Sequence, residues 1–154
     1  MEIRLEDQAS TDFDWFCVDE AGEIGHFTTA GFKQLPPSVS SSAEDLAVLT
    51  KYFEKDAPIK CGHLMDGDLE AELPNWKRLD LRSFIAMADR GLYSYDIESY
   101  LKPGICYFRV ASPLVPLRLV DIPESIREIV ERTALQASQL RSCSRVPYKK
   151  TLEI

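Results

Sequence analysis

Two histidines, four cysteines and a run of alternating carboxylates are the residues of this chain best equipped for chemistry. Nucleophilic catalysis would use Cys17, Cys61, Cys106 or a serine, with His26 or His63 as base and a carboxylate to orient the ring. No G-x-S-x-G elbow or local cysteine-protease signature selects one arrangement. Cys61-Gly62-His63 puts two zinc-type donors close together, but a structural zinc site needs four, usually as two close pairs. The expected reading is therefore a buried thiol and a half-exposed imidazole, with no metal. Asp66-Gly67-Asp68-Leu69-Glu70-Ala71-Glu72 alternates carboxylates, yet Gly67 falls second where a calcium loop needs its glycine sixth, and Pro74 interrupts what should follow. Neither G-x-x-x-x-G-K-[ST] nor G-x-G-x-x-G occurs, so no phosphate cradle and no cofactor are expected.

The elements that must position these groups follow from periodicity and punctuation. Ile3 to Glu6 reads as a short strand. Asp12 to Val18 has aromatic and β-branched strand content, Asp19 to Gly22 has turn residues, and Glu23 to Thr29 reads as the return strand of an antiparallel hairpin. Pro36-Pro37 excludes a helix interior and marks a loop. Ser41 and Glu44 fit a capping box ahead of a helix over Ser42 to Lys55, with Leu46, Leu49 and Phe53 at helical spacing. A possible strand at IKCGHLM precedes the acidic run.

A second helix follows Asp80, with Leu81, Phe84, Ile85 and Ala88 as its stripe and Gly91 as a left-handed terminator. Strands are expected at Leu92 to Asp96, Ile105 to Ala111 and Pro116 to Val120. Asp121 to Glu124 opens a last helix carrying Ile126, Ile129, Val130, Thr133, Ala137 and Leu140 on one face. Strand pairs without βαβα repetition predict an α+β domain: a mainly antiparallel sheet with about three helices packed on one face. A single domain is expected over residues 1–141, followed by a basic polar tail over 142–154, disordered or forming an edge strand.

Composition is that of a folded chain, at 45% hydrophobic and 28% charged residues. MEIRLEDQ has no basic-then-apolar leader pattern and no stretch is apolar enough to span a bilayer, so the expected location is cytoplasmic. Charge divides unevenly: residues 1 to 80 hold 7 Lys+Arg against 17 Asp+Glu, whereas residues 81 to 154 hold 11 against 8. Such an acidic half disfavours nucleic acid and favours a basic protein partner. Arg90, Tyr93, Tyr95 and Tyr100 form an aromatic cluster of the composition found at interface hot spots, or a cover for the core.

FDWFCVDEAGEIGHFTTAGF, together with MADRGLYSYD, resembles small bacterial cytosolic proteins, some of which occur as immunity proteins beside secreted polymorphic toxins. The resemblance covers two short stretches and carries over no catalytic residue. It implies a non-catalytic protein-binding module that blocks a basic toxin surface. On that reading Asp66, Asp68, Glu70 and Glu72 supply the charge, and Trp15, Tyr93 and Tyr95 the anchors. The alternatives are a small hydrolase-type enzyme using His26 or His63 and a scaffold that dimerises through an edge strand.

Overall fold

The computed structural model describes residues 1–31, 33–60, 62–98 and 105–154. Its first element is not the expected strand: Leu5–Gln8 form a helical turn, α1. The hairpin follows as read, β1 (Asp14–Val18) pairing antiparallel with β2 (Ile24–Thr28) so that Phe16 faces His26. Pro36 and Pro37 lie at the start of a second short helix, α2 (Pro37–Ser40), where the missing N–H costs nothing.

The capping helix is α3 (Ala43–Lys51), extended by a π-helical turn over Tyr52–Asp56. Its cap is Ser42 rather than Ser41, because the Ser42 hydroxyl accepts from the Asp45 amide at 3.1 Å. Next come β3 (His63–Met65), α4 (Leu69–Glu72) and α5 (Arg82–Asp89). Gly91 ends α5 at φ +96°, and a Cβ there would come within 2.5 Å of the Leu117 backbone nitrogen. Both facts demand glycine.

Strands β4 (Tyr93–Ile97) and β5 (Cys106–Pro113) match the expected positions. The strand expected over 116–120 does not form. Arg118 makes only an isolated bridge to Glu23, and Leu119–Asp121 close a 3-10 turn. The last long helix is also shorter than its apolar stripe: α6 covers Glu124–Val130. Beyond it the Thr133 carbonyl accepts from the Val18 amide at 3.0 Å and the Leu135 amide donates to the Val18 carbonyl at 2.8 Å. Sheet-like pairing along β1 therefore replaces further helix, so Leu140 buries without belonging to a helical face and Ala137 stays exposed.

The tail folds onto the sheet. β6 (Arg145–Pro147) pairs antiparallel with β5, and α7 (Tyr148–Thr151) follows. Val146 and Thr151 are buried.

The fold is α+β, with a mixed six-stranded sheet in the order β1-β2-β4-β5-β3 and β6 attached to β5. It is mixed because β2 and β4 run parallel. Seven α-helices occur among the described residues, and they do not share one side of the sheet. One face carries Trp15, Phe27, Tyr95 and Tyr107 beneath Leu35, Val39, Leu135 and Leu140. The other carries Phe16, Val18 and Ile24 beneath Leu49, Phe53, Met87 and Val130. A third cluster joins Phe108 and Val110 to Leu69, Leu81 and Phe84. With both faces covered, β2 is buried along its whole length.

Candidate functional site

The sequence-proposed anchors are structural. Trp15 and Tyr95 are fully buried and Tyr93 nearly so, and Phe27 stacks between Trp15 (centroids 4.4 Å apart) and Tyr95 (4.6 Å). The Trp15 indole N–H donates to the Tyr107 hydroxyl at 3.3 Å. These rings hold one face of the sheet. Tyr100 and Cys61 lie outside the described residues.

The acidic run is largely neutralised from within. Asp66 is a buried carboxylate that accepts from Arg109 Nε at 2.9 Å, and the Arg109 guanidinium also donates to the carbonyls of Leu140 and Arg141. Arg145 bridges Glu72 to the buried Glu98. Only Asp68 and Glu70 of the four are exposed.

The turn between β1 and β2 is equally committed. Asp19 accepts from the amides of Ala21 and Glu23 through one oxygen and from the Leu140 amide through the other, while Glu20 accepts from Ala137 and Glu23 from Arg141. Its carboxylates clamp the C-terminal segment to the sheet.

Neither His26 nor His63 lines the groove described next. His63 is half-exposed and pairs through Nδ1 with Asp89 at 2.8 Å. His26 is fully buried in the sheet, its ring between Phe16 and Phe84 and its Nδ1 2.7 Å from the equally buried Ser94 hydroxyl. Its Nε2 lies 3.5 Å from Asp14 and has no hydrogen-bond partner. Ser94, His26 and Asp14 thus resemble a relay in composition only, since substrate cannot reach the serine. Among the described residues no group of three or more His, Cys, Asp or Glu side chains is arranged to hold a metal ion.

Asp14 links this buried histidine to an open groove of about 840 Å³. One wall is the β1 edge with Phe13, and the other is α3, whose Ala43, Leu46, Ala47 and Thr50 fall at i, i+3, i+4 and i+7 and so share a face. Small residues there leave space between helix and strand. Carboxylates dominate the lining: Glu2, Asp7, Asp12, Asp14 and Glu54 against Lys51 and Lys55. Among the described residues no salt bridge joins either lysine to Asp12 or Asp14. Comparison with family models, with curated proteins and with solved structures found no match to this chain. The groove must speak for itself.

Desolvation by the surrounding walls pushes the Asp12 carboxyl above its ordinary value, and the neighbouring Asp14 charge adds to the shift. Asp96, whose Oδ1 accepts from the Thr28 hydroxyl at 2.9 Å, is pushed up by burial and by Asp12. Three carboxylates therefore surround one imidazole. The arrangement is short of positive charge, and only its Asp12–Asp14 side opens to the groove. The sequence held this signal in the D-x-D at the start of the hairpin and in the small-residue face of α3. Neither is a motif, and their proximity is tertiary.

Proposed function

We propose that the chain is a non-catalytic protein-binding module that takes a basic segment of its partner into the groove between β1 and α3. An immunity-like inhibitor of a basic toxin is the sharpest form of this reading. The observation that carries it is an open groove with apolar walls and a lining in which five carboxylates face two lysines, a surface complementary to lysine- or arginine-bearing chain. It moves the expected electrostatic contact from the 66–72 run, where arginines of the same chain already occupy Asp66 and Glu72. The burial of His26 and Ser94 favours binding over turnover. The outer strands β1, β3 and β6 are also poorly suited to edge-to-edge dimerisation. α3 packs beside β1 and Thr133 to Leu135 cover its end, while β3 and β6 span three residues each.

The test is capture from lysate of the source organism at low and high salt, comparing the wild type with an Asp12→Asn/Asp14→Asn/Glu54→Gln variant and an Asp68→Asn/Glu70→Gln variant. A basic partner retained at low salt, lost at high salt and lost by the groove variant alone is expected. Retention by the groove variant and loss by the Asp68/Glu70 variant would return the contact to the acidic run. Inhibition of the captured protein's activity then tests the immunity-like form.

A further inference from the structure

We propose that Asp12 and Asp14 form a seat for one cationic side chain, lysine or arginine, of the bound segment, and that seating it expels a proton from Asp12. This rests on the groove reading and specifies how the site is regulated. Both carboxylates line the groove, and Asp14 is half-buried. Behind Asp14 stands the fully buried His26, whose Nε2 is turned toward the carboxylate at 3.5 Å without a hydrogen-bond partner. A buried polar atom without a partner is costly, and a cation drawn onto Asp14 would reorganise that contact.

The groups facing Asp12 come from every side. Asp14 shares its segment, His26 lies on β2, and Asp96 on β4. Glu2 and Asp7 approach from the N-terminal residues, and Lys51, Glu54 and Lys55 from α3 and its π turn. Carboxylates outnumber cations among them. Partial desolvation, and after it the neighbouring Asp14 charge, disfavour ionisation of Asp12, so the free Asp12 carboxyl holds its proton into a higher pH range than an isolated aspartate would. A bound ammonium or guanidinium adds positive charge beside Asp12, favours its ionised form, and sends its proton to solvent. Binding and proton release are then linked, and affinity rises with pH through the range where Asp12 titrates.

The experiment measures affinity of a short acetylated, amidated peptide with one central lysine, by NMR titration at low salt from pH 4 to pH 8. Parallel peptides carry arginine, acetyl-lysine or norleucine at that position. Shift changes confined to Asp12, Asp14 and the α3 face are expected, with affinity falling up to about tenfold per pH unit below the Asp12 titration. Asp12→Asn should bind more weakly with a flattened profile, and its thermal melt checks that it is folded. Acetyl-lysine and norleucine peptides should lose binding, and the lysine and arginine arms show which cation fits. Groove binding with the same pH profile in wild type and Asp12→Asn would overturn the proton-linked seat while leaving the groove reading intact. Equal affinity for acetyl-lysine would overturn the cation requirement. Absence of any groove shift with the lysine and arginine peptides would overturn both.

Discussion

Two parts of this molecule carry clustered carboxylates in sequence and are opposite in fact. The 66–72 run supplies four carboxylates in seven residues, yet Asp66 and Glu72 are consumed by Arg109 and Arg145, cations that stand 43 and 73 positions away. Asp12 and Asp14 are a sparser signal, but they face a groove where no arginine of the same chain reaches them. Density of charge in a sequence therefore does not locate charge on a surface. What matters is which opposite charges the topology brings back. Here β5 and β6 deliver their arginines to one end of the sheet, leaving the β1 edge undersupplied.

The largest effect should come from breaking the neutralised side. Arg109→Ala strands a buried Asp66 carboxylate and leaves the Leu140 and Arg141 carbonyls without their donor, and should cost about 3–5 kcal/mol in chemical denaturation. Adding Asp66→Leu to Arg109→Met should recover part of that loss, because the stranded charge rather than the absent pair is the main penalty. If Arg109→Ala melts like the wild type, the ion pair is not buried as described and the contrast between the two regions fails.

The hairpin, the second helix with its glycine terminator, and the strands flanking residue 100 were legible because each rests on local rules: alternation over Asp14–Val18 and Ile24–Thr28, a stripe over Phe84 and Ala88, and a left-handed Gly91. What misled was tertiary. The stripe from Ile126 to Leu140 keeps helical spacing, but Thr133 and Leu135 gain more by pairing with Val18 than by another turn, and residues buried for different reasons mimicked one face. The tail looked polar because Arg145 and Lys149 point outward, while Val146 and Thr151 hold it to the sheet.

The site failed to show for a related reason. Aromatic residues rank as anchors only if exposed, and Trp15 and Tyr95 instead build the core of a sheet covered on both faces. The groove arises where α3 approaches β1, two elements whose local patterns say nothing about the gap between them.

An intermediate effect belongs to the groove itself. The Asp12 carboxyl is held above its ordinary value, so its contribution to stability is present below that value, 3.8, and is lost as pH rises through its folded-state titration. Asp12→Asn should therefore raise the melting temperature at pH 7, by about 1–2 °C because solvent screens much of the repulsion. The gain should vanish at pH 3. A variant that melts lower than wild type at pH 7 would show that Asp12 is stabilising where it stands, and the groove would lose its sign of an unmet charge. Stability gained together with partner binding lost marks a residue kept for its contact rather than for the fold.

The smallest effect should fall on the carboxylates that the run leaves exposed. Asp68 keeps its backbone amide on Asp66 whatever its side chain does, and Glu70 points away from the buried Leu69 that fixes α4. Replacing them with Asn and Gln should change stability by less than about 0.5 kcal/mol. It should leave peptide affinity at the groove unchanged at 0.15 M salt, where charges farther away than about 8 Å are largely screened. A measurable loss of affinity would mean that the two acidic regions act as one field rather than as one spent and one open. The line between them would then have to be drawn by potential and not by which arginine reaches which carboxylate.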